Sequence, residues 1–262
     1  MDKPYIVDEN ENFAVIFKPP GMHCVPPGKK NNKIKISEPA ADEYDKVKSD
    51  TLFEWCSEKI LSVFDIIHRL DYETRGLVLF AKNKKSYEFF KSAQDDGNFI
   101  KEYTAICSHY SPNAEKKMRG FPPAPSIERE TSPDKPIIIE SFFRPFGPGR
   151  KQVRPVINDG RKHKETAKDR GGFYKTEILN IKNKTFTVRI KRGFRHQIRC
   201  HLCWIGFSIL NDPLYFNDEP PCPRGFLALG SNALFFPDPE NGAQCEFRIP
   251  PVTEDMLLHG KA

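Results

Sequence analysis

The sequence predicts an α+β fold, with a mixed, largely antiparallel central sheet flanked by helices and loops. Three observations lead there. Short apolar runs, alternating or continuous and bounded by Gly, Pro, Asn or Asp, recur along the chain and outnumber the helical patterns. No solenoid-type repeat is present. At 262 residues, 38% of them hydrophobic, the chain is long enough to bury a substantial core, and it is expected to form a single domain over residues 1–262.

The elements follow in order. Tyr5–Val7 and Phe13–Phe17 read as a hairpin across a polar turn, closed by Lys18-Pro19-Pro20-Gly21. Residues 26–50 are polar and rich in Pro and Lys, and read as an insertion. Thr51 and Glu54 have capping-box spacing and predict a helix running to about Leu61. Leu77–Ala81 is a strand, after which Asn83 caps a helix from Lys84 to about Gln94 that Gly97 ends. Ile100–Ile106 is a strand placing Lys101, Tyr103 and Ala105 on one face. A second insertion spans 111–165, irregular over 111–136 but with a strand at Ile137–Phe143. Tyr174–Ile181 and Thr185–Ile190 are further strands. His196–Ile205 is helical, with Ile198, Leu202 and Ile205 as its apolar stripe and His196, Arg199 and Cys203 on another face. Gly206 stops it, Asp212-Pro213 marks a turn, and Phe226–Phe236 and Cys245–Ile249 close the sheet.

The charge balance is +6, from 41 Lys and Arg against 35 Asp and Glu. Residues 141–170 hold nine Lys and Arg against three acids, which is the whole excess. A polyanion such as RNA is one explanation, and a solvated basic loop is the other. No run has the length of a membrane span, and the N-terminus carries no secretory signal pattern. Seven scattered cysteines read as reduced thiols in a cytoplasmic protein.

The chemistry centres on Asp71, in the run His68-Arg69-Leu70-Asp71-Tyr72-Glu73-Thr74-Arg75-Gly76 ahead of a buried strand. A lone turn aspartate ordinarily bonds its own backbone. Here basic neighbours surround it, and a carboxylate in a cleft needs a cation or it takes up a proton. Arg199, far away in sequence, suits that pairing because its planar fork stays charged and can hold a carboxylate oriented for nucleophilic attack. Tyr103 is a core aromatic or a functional one, and its flanking Lys101 and Ala105 make no continuous apolar stripe. His68, His196 and His201 are candidate bases, with local hydrogen bonding or phosphate contact the favoured roles.

The run from His68 to Lys82 resembles the signature of the RluA-like family of RNA pseudouridine synthases. Lys101-Glu102-Tyr103-Thr104-Ala105 resembles the second motif of that family. His196–Leu202 with Asn211-Asp212-Pro213-Leu214-Tyr215 resembles the third, and Val15–Met22 resembles the entry to its catalytic domain. The likeness covers nearly the whole chain outside 26–50 and 111–165. It implies a pseudouridine synthase fold and the isomerisation of uridine to pseudouridine in rRNA or tRNA, with no cofactor and no obligate protein partner. It further implies Asp71 as nucleophile, Tyr103 stacked on the uracil and Arg199 paired with Asp71. Arg69 would help displace the target base. His68, Arg75, Arg195 and His196 would contact RNA. Attack on the uracil ring and attack on the sugar are both compatible with the sequence.

Two departures from the family pattern stand out: Arg75 is where a serine is more usual, and Phe194-Arg195 replaces Arg-Thr. The family often has a separate small N-terminal RNA-binding domain, and none is expected here. The rival readings are a catalytically silent RNA-binding protein of the same fold, a hydrolase and a metal site. No Gly-x-Ser-x-Gly elbow is present. Cys200-His201-Leu202-Cys203 lacks a second ligand pair to complete a zinc tetrahedron, so no metal is expected.

Overall fold

The structure, a computed structural model, describes residues 3–26, 51–111, 118–127, 135–157, 173–215 and 225–259. Nearly all of the insertion expected at 26–50, and residues 112–117, 128–134 and 158–165 of the other, lie outside them.

The order is β1 (Tyr5–Glu9), β2 (Phe13–Lys18), α1 (Leu52–Lys59), β3 (Asp65–Ile66), β4 (Arg75–Ala81), α2 (Lys84–Asp95), β5 (Ile100–Ile106), β6 (Ile137–Phe146) and β7 (Gln152–Val156). It continues with β8 (Tyr174–Lys182), β9 (Thr185–Ile190), a helix here numbered α3 (Gln197–Trp204), β10 (Leu229–Pro237), β11 (Gln244–Arg248) and a last helix α4 (Glu254–His259). The strands form one sheet in the order β1-β2-β4-β10-β5-β9-β8-β6-β7, with β11 on β10 and β3 on β4. Among the described residues, only the β4–β10 pairing is parallel, so the sheet is mixed and largely antiparallel as expected.

Local chemistry accounts for the elements. Thr51 Oγ1 accepts from Glu54 N while Glu54 Oε2 accepts from Thr51 N, closing the capping box of α1. Asn83 caps α2 through Ser86 N, and Gly97 follows that helix at φ +74°. Strands β2 and β4 are buried along their whole length, which marks them as central and covered on both faces. One core lies under α1 and α3, and a second, rich in Phe, under α2.

Gly76 makes the centre of the sheet possible. Its φ is +125°, and a Cβ there would lie 2.2 Å from the backbone oxygen of Ser231 on β10. Only glycine lets β4 and β10 start against each other at this point. That junction sits just after the Asp71 loop.

The basic stretch from 141 is not simply a loop. Residues 141–146 continue β6, and 152–156 are β7, the edge strand. Arg154 is buried under Phe121 and Phe146, its guanidinium donating to Arg119 O, Val153 O and Gln152 Oε1. Of this supposed insertion, 137–146 and 152–156 therefore belong to the sheet, where they are held by ladder hydrogen bonds and a buried cation, while 118–127 is irregular as expected.

Candidate active site

Asp71 lies on the loop between β3 and β4, on the wall of a cleft of about 880 Å³. The Asp71 carbonyl accepts from Thr74 N at 3.1 Å, and the next residue's carbonyl, Tyr72 O, accepts from Gly21 N at 2.9 Å. Lys18 adds a third restraint. Its Nζ, at the buried end of β2, donates to Pro19 O, Met22 O and Tyr72 O. Burial pulls the Lys18 pKa down to about 8 although Cys24, Asp71 and Glu73 oppose the shift.

Arg199 reaches Asp71 from α3. All eight residues of that helix are buried, so the predicted apolar stripe is only part of its contact surface. Polar bonds pin it. Gln197 Nε2 donates to Lys175 O at 2.8 Å, and the two ring nitrogens of His201 lie 2.8 Å from Thr176 Oγ1 and 2.9 Å from Ser141 Oγ. His201 thus bonds locally, and burial lowers its pKa to about 3.

Arg199 Nη1 lies 3.3 Å from both Asp71 Oδ2 and Glu73 Oε2, while Nε and Nη2 donate to the two oxygens of Asp212 at 2.8 Å each. Burial alone would disfavour this charge, but hydrogen bonds to Asp212 and the charges of Asp212, Asp71 and Glu73 raise the Arg199 pKa. Asp212 is fully buried and also accepts from Leu214 N and Tyr215 N. The sequence places Asp212 in a turn and inside a motif, and Lys18 and Glu73 inside motifs, without assigning any of them a role. A buried aspartate one short turn beyond an arginine-bearing helix was the available signal.

Tyr103 lies on β5, 5% exposed, and lines the same cleft. Its phenol pKa is raised by burial first, with the charge of Asp71 adding to the shift. Beside it Lys101 Nζ donates to Lys191 O at 2.8 Å, and burial with Lys91 nearby lowers its pKa to about 7. Arg69, Lys91, Lys151, Lys191, Arg192 and Arg195 line the remaining wall, so the cleft is ringed by cations.

The expected RNA contacts divide. Arg69 and Arg195 are exposed on the cleft wall, with Arg195 Nη2 donating to Arg150 O. Phe194, the other half of that departure, stacks on Phe143 at 5.0 Å and packs against Tyr174. Arg75 lies elsewhere. It is 6% exposed, its guanidinium lies 5.1 Å over the Phe17 ring, and it is absent from the cleft wall. His68 and His196 line the cleft and bond locally. His68 Nε2 accepts from Leu79 N and its ring packs on Phe99, while burial, then Lys101 and Lys91, hold its pKa well below the usual value. A neutral imidazole offers no cation to a phosphate. His196 caps α3 in the left-handed region (φ 57°), with Nε2 3.9 Å from Asp71 Oδ1 and Nδ1 3.2 Å from the Tyr215 hydroxyl. It faces the carboxylate, and burial lowers its pKa against the pull of Asp71.

Among the described residues no group of three His, Cys, Asp or Glu side chains is placed to hold a metal ion, and no helix is long and apolar enough to cross a membrane. Cys200 and Cys203 are buried in the packing of α3, in no disulfide among the described residues.

A family model described as RNA pseudouridylate synthase matches residues 12–204. The chain is 26% identical to ribosomal large subunit pseudouridine synthase D of Zymomonas mobilis, over 97% of this chain and 70% of that one. It is 28% identical to the mitochondrial tRNA pseudouridine(32) synthase of Saccharomyces cerevisiae, over 82% of this chain but 37% of that one. In fold it is similar to human RNA pseudouridylate synthase domain containing 1 (TM-score 0.59, 16% identity, 95% of this chain and 83% of that one). It is also similar to human RNA pseudouridylate synthase domain containing 4 (TM-score 0.58, 16% identity, 98% of this chain and 92% of that one). A carboxylate and a buried guanidinium meeting in a cation-lined cleft, on a chain that this family's model spans for most of its length, lead to one conclusion: the protein belongs to the RNA pseudouridine synthases, isomerases that turn uridine into pseudouridine in RNA.

Proposed function

We propose that this protein isomerises uridine in rRNA or tRNA with Asp71 as the nucleophile. The observation that carries the reading is the 3.3 Å contact between Arg199 Nη1 and Asp71 Oδ2 at the wall of the cleft. The guanidinium keeps the carboxylate oriented on the wall of the cleft, where it is placed for attack. The bond from uracil N1 to the ribose breaks, the base turns, and C5 bonds to the sugar as its proton leaves. The base must therefore be extruded from its stack into an enclosed site. Tyr103, buried against the cleft, supplies a face for the uracil near that proton. Arg69 and Arg195 hold the backbone at the mouth, and Arg69 helps to displace the base. No disulfide joins the six described cysteines, in keeping with a cytoplasmic setting.

A catalytically silent RNA-binding protein of this fold is the competing reading. Pure binding has no use for a carboxylate held by a buried arginine, which favours the enzyme. RNA carrying tritium at uracil C5 should release label to water, and Asp71→Asn should abolish release while the near-ultraviolet circular dichroism stays native. Release by Asp71→Asn at the wild-type rate would rule out the nucleophile.

A further inference from the structure

Tyr72 is the residue next to Asp71, and it stands 45% exposed on the cleft wall. Its ring centroid is 4.6 Å from that of His23, at an interplanar angle of 43°, and His23 is itself exposed on the same wall. Packing does not explain two uncovered rings at the mouth of a polar cleft.

Both rings stand on fixed backbone. Tyr72 O accepts from Gly21 N at 2.9 Å and from Lys18 Nζ at 3.3 Å, and His23 O accepts from Leu52 N at 2.8 Å. His23 also bridges to Thr51, so the pair is tied to the start of α1. Little ordering is left to be done when a ligand arrives, which favours binding.

We propose that Tyr72 and His23 form a stacking platform for the nucleobase next to the target uridine. The proposal rests on the uridine-isomerase reading and deepens it. Drawing a uridine into the cleft toward Tyr103 takes it out of its stack and leaves a neighbouring base with one face bare. Unstacked RNA bases are commonly received on aromatic rings. The platform lies one residue from the nucleophile, within a nucleotide's reach of the reacting sugar. Arg69 on the same wall provides for the intervening phosphate. Stacking accepts any base, so the platform contributes affinity and orientation and leaves base identity unread.

The test uses a single-stranded RNA of about ten nucleotides with a central uridine and 2-aminopurine at one flanking position at a time. Wild-type protein should quench 2-aminopurine at one of the two positions. Tyr72→Ala should lose the quenching and weaken binding roughly five- to a hundred-fold. Tyr72→Phe should keep both. With C5-tritiated RNA, Tyr72→Ala should raise KM and leave kcat near wild type, which a merely misfolded variant would not do. Equal quenching and equal affinity in wild type and Tyr72→Ala, including the case where both are nil, would overturn the platform. Tritium release by wild type alongside that result would leave the isomerase reading standing. Absence of release from ribosomal and transfer RNA alike would overturn both.

Discussion

Arg199 meets Asp212 more closely than it meets Asp71: two of its nitrogens lie 2.8 Å from the Asp212 oxygens, and the third is 3.3 Å from Asp71. Asp212 sets the plane of the guanidinium, so Nη1 points at the cleft whether or not substrate is present. Asp212→Asn should lower kcat by at least about a hundred-fold with little change in KM, because the fork loses its fixed angle. It should also destabilise the fold by about 3–5 kcal/mol, the usual consequence of leaving a buried charge without its partner. Single-turnover tritium release and urea unfolding together check this. Wild-type kcat in the variant would show that Asp212 positions nothing.

Gly76→Ala is expected to destabilise the fold by roughly 3 kcal/mol or more, since its Cβ would enter the Ser231 backbone and no flexible side chain is there to yield. A thermal melt measures it. The same change at Gly242, where a Cβ would meet nothing within 4 Å, should cost far less, limited to strain at its φ of +72°.

Two arginines that look alike in the sequence should behave oppositely. Arg69→Ala, at an exposed cleft position, should leave the melting temperature within a degree or two and reduce the slope of log affinity against log salt by about 0.7–0.9. Arg154→Ala should leave that slope unchanged and lower stability by about 3 kcal/mol, because the side chain is a buried donor to two carbonyls and a side-chain amide. Salt-dependent filter binding and urea melts separate the two.

Acid should loosen the seat of α3. His201 is held neutral by burial, with a pKa near 3 in the folded chain against 6.5 for an ordinary histidine. The unfolded chain therefore binds the extra proton first. The stability is fully present above pH 6.5 and is lost progressively as pH falls from there toward 3. Urea midpoints measured from pH 7 to pH 4 should drop less steeply for His201→Gln than for wild type. Parallel curves would mean that His201 is not the group responsible.

Much of this molecule was legible from sequence. Ile100–Ile106 has the predicted bounds, the Thr51–Glu54 box and the Asn83 cap are in place, and Asp71 meets Arg199 across 128 residues of chain. Gln152–Val156 was not legible as a strand. It contains an arginine and a proline among few apolar residues, and it is tolerated because β7 is an edge strand whose Pro155 owes no ladder bond on its outer side. The surroundings of Arg75, His68 and His196 were not legible for a shared reason. A charge symbol in a sequence does not say whether the side chain faces solvent, a ring or a carboxylate.

By itself the sequence determined the α+β class, most strand positions, and the carboxylate, phenol and guanidinium that share the cleft wall, since periodicity, caps and residue type are local properties. Tertiary structure alone decided which oxygens Arg199 binds, that Lys18 clamps the loop beside Asp71, and that Tyr72 stands uncovered at the mouth. Those outcomes turn on ångström-scale distances between segments far apart in the chain. Hydrogen bonding and desolvation vary steeply over such distances, and no spacing along the chain encodes them.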